Sequence, residues 1–401
     1  MKKKPEVTNL YYITHVENLP SILRRGVLSH SQVERQSLSP AAIYDASIVS
    51  RRRDRTAPDG RSLWEFANVY FQPRNPMLYR VLHERSFNEI AILGVRRSIL
   101  DEPGVFLSDG NAANNESQLL QGTAATSAIQ DIWGSIRSEW WNAVDGSKRR
   151  IMAECLVPQA IPPDLLETVY VADHSTAQRV RSLIGEALPI VPEPHMFFRP
   201  SKRYLLAPQL SLVEGDMFFS AMQTLTVSVN TVGVMGRGLA SRAKHQFPDV
   251  YVHYQDACRS KAVAMGQPVL YKRESFIDAE LADEPASLYR PNARKWFLLF
   301  PTKAHWRNAS DINAIGAGLE WITSEYRRQG IQSLALPALG CGLGGLEWKD
   351  VGPLMCRELS RIDVPVVIYL PREREIAPEY LSPRYLTGHD FVREEEVVYE
   401  A

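Results

Sequence analysis

The stretch that most restricts the fold of this chain is residues 225–240, Leu-Thr-Val-Ser-Val-Asn-Thr-Val-Gly-Val-Met-Gly-Arg-Gly-Leu-Ala. The alternating apolar run Leu225 to Val229 reads as a buried strand. Three glycines follow (Gly233, Gly236, Gly238), and Leu239 to Phe247 then reads as a helix. A strand, a glycine turn and a helix N-terminus form an anion cradle. Glycine lets backbone N–H groups approach a ligand without Cβ interference, and the helix dipole favours negative charge. The order G-x-x-G-x-G is neither the dinucleotide fingerprint G-x-G-x-x-G nor a P-loop, which needs a following Lys-Ser/Thr. The stretch predicts a diphosphate holder outside those two classes, the alternative being a tight turn without a ligand.

A second glycine loop strengthens the first reading. Pro337, Gly340, Cys341, Gly342, Leu343, Gly344 and Gly345 lie between a predicted strand, Gln332 to Leu336, and a helix. Two such loops in one α/β domain can grip both ends of a diphosphate. Gly215-Asp216 closes another strand that begins near Leu212, placing a carboxylate where ligands of open α/β sheets bind. Lys295 to Phe300 reads as a central buried strand running into Pro301-Thr302-Lys303. A lysine there is a phosphate contact, a reactive amine with a depressed pKa, or a snorkelling rim residue. Glu274 to Asn292 reads as an acidic loop-like insertion. Ile312 to Arg328 reads as a helix, and Val364 to Leu370 as the last strand.

At 401 residues the chain has room for two or three domains. Its formal net charge of zero gives no global argument for nucleic acid, but residues 51–100 hold ten Lys/Arg against five Asp/Glu. There is no apolar run of membrane length, and Met1-Lys2-Lys3-Lys4 leads into Pro5 rather than an apolar signal core. Four scattered cysteines give no CxxC and no metal spacing, so free thiols in a reducing cytoplasm, and no metal, are expected.

In the first half, Leu10 to Ile13 predicts a strand, capped by Thr14 or His15 into a helix that Gly26 stops. His15 alone is more often structural than catalytic. Arg51-Arg52-Arg53-Asp54-Arg55 is either a solvated basic face or a set of phosphate contacts. Tyr70, Phe71 and Trp141 are either stacking platforms for bases or core. Val69 to Tyr79 predicts a strand entering a Pro-framed turn, and Ser108 to Ser127 a mobile loop. Glu154 sits inside an apolar strand. It is either the partner of a nearby arginine or a working carboxylate, since an unpaired one there is costly.

Taken together, four first-half blocks resemble the DarT family, the DNA ADP-ribosyltransferase toxins of bacterial toxin–antitoxin systems. They are Tyr12 to Leu19, Arg52 to Arg55, Tyr70 to Tyr79 and Met152 to Val157. The resemblance implies an ADP-ribosyltransferase fold, NAD⁺ as co-substrate, and transfer of ADP-ribose to a base, typically thymine, in single-stranded DNA. Matched by position, Glu154 is the family's catalytic glutamate. Arg53 is its catalytic arginine, with Arg52 or Arg55 as the alternatives if the register shifts. Tyr12, Thr14, His15, Asn18 and Arg53 form the NAD⁺ block, although some members carry His at the position of Tyr12. Arg51, Arg52, Arg55, Arg74, Arg149 and Arg150 are the candidate DNA contacts.

The second half resembles a macrodomain, an ADP-ribose-binding α/β/α fold, and more narrowly DarG, the antitoxin that removes ADP-ribose from DNA. The match rests on Asn230 to Gly238, Phe300 to Trp306 and Pro337 to Gly345. It implies Lys303 as the catalytic lysine, Asp216 holding adenine and Asn230 near the distal ribose. The remaining ADP-ribose contacts would be Met217, Gly233, Val234, Met235, Gly236, Gly238, Thr302, Gly340, Cys341, Gly342, Leu343 and Gly344. The expected organisation is α/β and α+β in two domains: a transferase at 1–200, a linker at 201–209, a macrodomain at 210–372 and an acidic tail at 373–401. Stand-alone DarG proteins usually add a toxin-binding domain. Here covalent fusion, with an intramolecular toxin–antitoxin contact, or a tail lying on the basic groove would replace it.

Overall fold

A computed structural model describes residues 7–43, 46–284, 288, 294–372 and 374–389. The chain divides into two compact units. One comprises Met1–Phe197 with Asp278–Pro291, the other Phe198–Ile277 with Asn292–Ala401.

The first unit is built on a mixed sheet. Its strands are β1 (Asn9–His15), β2 (Val27–Leu28), β3 (Phe66–Tyr70), β4 (Ile90–Arg96), β5 (Phe106–Ser108), β6 (Leu119–Leu120), β7 (Glu154–Pro158), β8 (Ala160–Ile161), β9 (Leu166–Val171) and β10 (Ile190–Pro192). Eight of these run in the order β10-β9-β4-β1-β3-β7-β5-β6, and β2 pairs separately with β8. Burial of β1, β3, β4 and β7 follows from their composition: Leu10, Val69, Ile92, Leu93 and Leu156 are fully inaccessible. Register aligns Tyr11 with Tyr70 and Tyr70 with Glu154, so these three residues form one row across β1, β3 and β7.

Several expected elements differ. Ser108 to Ser127 is pinned rather than loose: it contains β6 and the start of a helix, Gly122–Ile136. Arg55 donates to the carbonyls of Asn114 and Ser117, and Arg149 donates to Asp109 and Ser117. The Pro-framed turn after Tyr70 opens a helix, Pro76–Glu84, because Asn75 caps it by accepting from the Leu78 N–H and Pro76 fits its first turn. Part of the acidic insertion, from Asp278, belongs to this first unit. Asp283 receives Arg80 Nε at 2.8 Å, Tyr79 donates to Asp278 at 2.9 Å, and the Trp141 indole donates to the Leu281 carbonyl at 3.0 Å.

The second unit has β11 (Lys202–Ala207), β12 (Leu210–Glu214), β13 (Thr224–Asn230), β14 (Val269–Tyr271), β15 (Trp296–Lys303), β16 (Leu334–Pro337) and β17 (Val366–Tyr369). Their order is β11-β12-β17-β16-β13-β15-β14. The five central strands are parallel and the two edge strands antiparallel. The stretch 201–209, expected as a linker, thus holds an edge strand.

Alternation along β15 sends its side chains to two layers. Leu298 and Phe300 pack with Ile315, Leu319 and Ile322 of helix Ile312–Gln329 and with Val351 and Met355 of helix Trp348–Leu359. Phe297 instead packs against Phe247, the rings tilted with centroids 5.1 Å apart, beside helices Gly238–Gln246 and Pro248–Arg259. This is an α/β/α sandwich. The described part of the expected tail joins it: Leu381 and Leu386 enter the core and the Trp348 indole donates to the Tyr380 carbonyl. Residues 373 and 390–401 of that tail lie outside the described residues.

Candidate active sites

In the first unit, Glu154 opens β7 with its side chain fully buried. Its Oε1 accepts the Ala112 N–H at 2.8 Å, and its Oε2 accepts Arg52 Nη1 at 2.9 Å. The pinned 109–118 loop supplies the first of these contacts. Arg52, 8% exposed, projects from helix Ala46–Asp54. Its Nε and Nη2 are buried and have no hydrogen-bond partner among the described residues. A buried guanidinium with two idle donors is costly unless a ligand oxygen completes it.

Of the arginines in this run it is Arg52, not Arg53, that meets Glu154. Arg53 turns to the surface, where it pairs with Glu34 and lies 4.4 Å over the Trp64 ring. Trp64 in turn stacks on His30 at 4.3 Å. Burial, followed by the charge of Arg52, pushes the His30 imidazole down to about 4. His30 is thus neutral near pH 7.

The remaining first-unit residues sort as follows. Thr14 and His15 are buried at the end of β1. Asn18 donates to Thr14 Oγ1 and the Ala41 carbonyl and accepts the Ala41 N–H, stapling the 41 segment to β1. His15 Nδ1 accepts the Glu17 N–H, a capping contact. Tyr12 is partly buried against the core. The candidate DNA contacts are mostly committed internally: Arg51 to Glu284, Arg55 and Arg149 to the 109–118 loop, and Arg150 to Ser135 and the Asp145 carbonyl. Arg74, 3% exposed, meets His195 at 2.7 Å. Tyr70, Phe71 and Trp141 are core residues, not open platforms.

In the second unit a cleft of about 720 Å³ crosses the carboxyl ends of all five parallel strands. Gly215 and Asp216 follow β12, Tyr369 to Arg372 end or follow β17, and the loop from Pro337 to Gly344 follows β16. Asn230 ends β13, with Val234 and Gly236 to Gly238 beyond it, and Lys303 ends β15 with Trp306 beyond it. This is where ligands of open parallel sheets sit. Both glycine loops line it, and helix Gly238–Gln246 begins there with no side-chain cap, leaving its first N–H groups for an anion. Gly344 is required: a Cβ would lie 2.3 Å from Ser310 Oγ and 2.4 Å from the Gly340 carbonyl oxygen.

Asn230 and Lys303 are register partners on adjacent strands. Asn230 is used to shape its own loop, its amide donating to the Val234 carbonyl at 2.6 Å while its oxygen accepts Val232 N–H and the Tyr254 hydroxyl. Lys303 Nζ donates to the Leu343 carbonyl at 3.2 Å, tying β15 to the second glycine loop. Partial desolvation lowers its pKa below the ordinary lysine value. Asp216 caps Met217–Phe219 and forms an ion pair with Arg242 at 2.8 Å.

Of the expected ADP-ribose set, Met217, Val234, Gly236, Gly238, Gly340, Gly342, Leu343 and Gly344 also line the cleft. Gly233, Met235, Thr302 and Cys341 do not. Met235, Thr302 and Cys341 are buried, and Thr302 hydrogen-bonds Ser228 at 2.8 Å. Arg242, Trp306, Arg307 and Tyr369 line it unforeseen. Trp306 ends a block already singled out, three residues after Lys303, and Arg307 follows it; Arg242 and Tyr369 carry no local sequence signal.

The family description "ssDNA thymidine ADP-ribosyltransferase, DarT" matches residues 11–198, and "Macro domain" matches residues 289–355. A "DNA ADP-ribosyl transferase-DNA ADP-ribosyl glycohydrolase fusion protein" of Thermosipho africanus is 53% identical over 384 residues, covering 95% of this chain and 99% of that protein. A "DNA ADP-ribosyl glycohydrolase" of Mycobacterium bovis is 35% identical over 158 residues, 39% of this chain and 41% of that protein. The solved structure "Thermosipho africanus DarTG in complex with ADP-ribose" superposes with a TM-score of 0.89 at 52% identity, covering 94% of this chain and 99% of that chain. This chain belongs to the family of DNA ADP-ribosyl transferase–DNA ADP-ribosyl glycohydrolase fusion proteins.

Proposed function

We propose that this chain writes and erases one DNA modification. The first unit transfers ADP-ribose from NAD⁺ to a base, thymine in our reading, in single-stranded DNA, and the second unit removes it. The observation that carries this reading is the 53% identity, over nearly the whole chain, to a protein carrying both activities.

In the writing step the nicotinamide–ribose bond breaks, nicotinamide leaves with the bonding electrons, and a ring nitrogen of the base attacks the anomeric carbon. Glu154 faces the positive charge that develops on the ribose and accepts the proton released by the base. Arg52 fixes the carboxylate with one N–H, and its two idle donors serve acceptor oxygens of the substrates. Thr14, His15 and Asn18 shape the NAD⁺ pocket. A base must be unstacked to reach such a site, which favours single strands.

In the erasing step the glycine loops and the free helix N-terminus hold the diphosphate, Asp216 and Arg242 lie at the adenine end, and Lys303 acts at the anomeric carbon. Its lowered pKa raises the fraction of neutral amine. The glycosidic bond breaks, the base leaves with the electrons and regains a proton, and water supplies the hydroxyl that ends on the anomeric carbon of the released ADP-ribose.

NAD⁺, DNA and four free thiols fit a bacterial cytoplasm; no described helix is long and apolar enough to cross a membrane. The test of the erasing half uses the Glu154→Ala protein with an oligonucleotide already carrying ADP-ribose and no NAD⁺. Release of free ADP-ribose is expected, and an intact adduct would reject this half.

A further inference from the structure

The cleft of the second unit continues past Lys303 onto an exposed aromatic residue. Trp306 lines the cleft yet is 48% exposed. Its ring is backed by two neighbours: the Arg307 guanidinium lies 4.6 Å from its centroid, and the His305 ring 5.2 Å away. The loop is anchored to the opposing glycine loop, because Thr231 donates to the Ala304 carbonyl through both N–H and Oγ1. Two more exposed apolar side chains line the cleft near Lys303: Leu343, 67% exposed, whose carbonyl accepts the Lys303 amine, and Val234, 40% exposed, whose carbonyl accepts the amide of Asn230, the register partner of Lys303. Core formation does not explain three large apolar side chains left in water along this cleft.

Sheet order gives the cleft a direction. Asp216 follows β12 and Lys303 ends β15, four strand spacings apart, or roughly 19 Å at ~4.8 Å per strand. The diphosphate cradles of β13 and β16 lie between them. An ADP-ribose laid across this row with its adenine at Asp216 brings its anomeric carbon toward Lys303. Whatever the ribose is attached to then continues onto Trp306.

We propose that Trp306, with Leu343 and Val234, forms the leaving-group subsite, on which the ADP-ribosylated nucleobase stacks, and that Arg307 meets the phosphate of the same strand. This rests on the erasing activity proposed above and adds its specificity. Single-strand recognition commonly pairs an aromatic face with a nearby cation, and a base flipped from its neighbours offers a π-face on any sequence. The subsite restricts the enzyme to ADP-ribose borne on a flat, unpaired base. Free ADP-ribose has no group to place there.

The experiment compares wild type, Trp306→Ala, Trp306→Phe and Arg307→Ala, all without NAD⁺. Calorimetry with free ADP-ribose reports the cradle. Release of ADP-ribose from a modified single-stranded oligonucleotide reports the subsite. Trp306→Ala should bind free ADP-ribose within about two-fold of wild type while losing roughly ten- to hundred-fold in kcat/KM on the oligonucleotide. Trp306→Phe should restore most of that loss, and Arg307→Ala should flatten the salt dependence of KM. Equal losses on both ligands, or no loss on the oligonucleotide, would overturn the subsite. A wild-type protein that binds no ADP-ribose would instead overturn the cleft assignment on which it stands.

Discussion

Arg52 Nη1 lies 2.9 Å from Glu154 Oε2, and both side chains are buried. The neighbouring arginine, Arg53, faces solvent over Trp64. One residue of helical register therefore separates a candidate catalytic group from a surface one. Arg52→Ala should lower transferase activity by at least about a hundred-fold, and Arg53→Ala by only a few-fold. Oligonucleotide modification with NAD⁺ checks this, with ADP-ribose binding by the second unit as the folding control. Equal losses for the two variants would contradict the assignment.

Lys303 gives the erasing activity a pH signature. Its pKa is lowered by desolvation, so the neutral amine is present at a lower pH than for a free lysine. If the neutral amine acts, the rate falls as pH drops, because protonation removes the lone pair. It rises with pH and levels off below 10.5, the ordinary lysine value. A pH–rate profile on a pre-modified oligonucleotide measures this limb, and Lys303→Arg should erase it along with activity.

Gly344 and Gly342 separate fold from ligand. Alanine at 344 collides with Ser310 and the Gly340 backbone, whereas a Cβ at 342 meets no protein atom within 4 Å. Gly344→Ala should cost about 1–3 kcal/mol of stability and weaken ADP-ribose binding. Gly342→Ala, whose methyl points into space on the cleft wall, should leave the unfolding transition unchanged and weaken binding alone. Denaturation and calorimetry on both variants decide the point.

Asp283 tests the segment that the second-unit sequence contributes to the first unit. Its carboxylate holds Arg80, whose side chain is 1% exposed. Without Asp283 the buried Arg80 guanidinium keeps, among the described residues, only Glu84 as a carboxylate partner, at 3.0 Å, so Asp283→Ala should cost about 1.5–3 kcal/mol. Glu284→Ala breaks the more exposed pair with Arg51 and should cost under about 1 kcal/mol. By the same argument, a 1–200 fragment should unfold in less denaturant than the first unit does in the full chain.

Much of the second unit was legible because its signals are local. The β13 run, the two glycine loops and Lys303 at a strand end each carry chemistry within a few residues, and sheet order only had to bring them together. Arg242 and Tyr369 were not legible: an arginine on a helix and a tyrosine at a strand end become cleft residues only once β12 and β17 lie side by side. Resemblance pointed to Glu154 but left a choice among Arg52, Arg53 and Arg55, because which of these side chains turns inward depends on helix phase. The arginines read as DNA contacts illustrate the limit of composition. Arg55 and Arg149 are spent holding the 109–118 loop that supplies Ala112 to Glu154, a role set by long-range contacts. The 278–284 segment was hidden for the same reason, since nothing in an acidic insertion says which sheet it will join.

The central claim is that one chain makes the adduct it also removes. Blocking removal alone should expose the writing step. The most direct measurement is the mass of a single-stranded, thymine-containing oligonucleotide after incubation with NAD⁺ and the Lys303→Ala protein. The account predicts accumulation of a species heavier by one ADP-ribose, absent with Lys303→Ala/Glu154→Ala and cleared on adding Glu154→Ala protein. An unmodified oligonucleotide across a panel of sequences would contradict it.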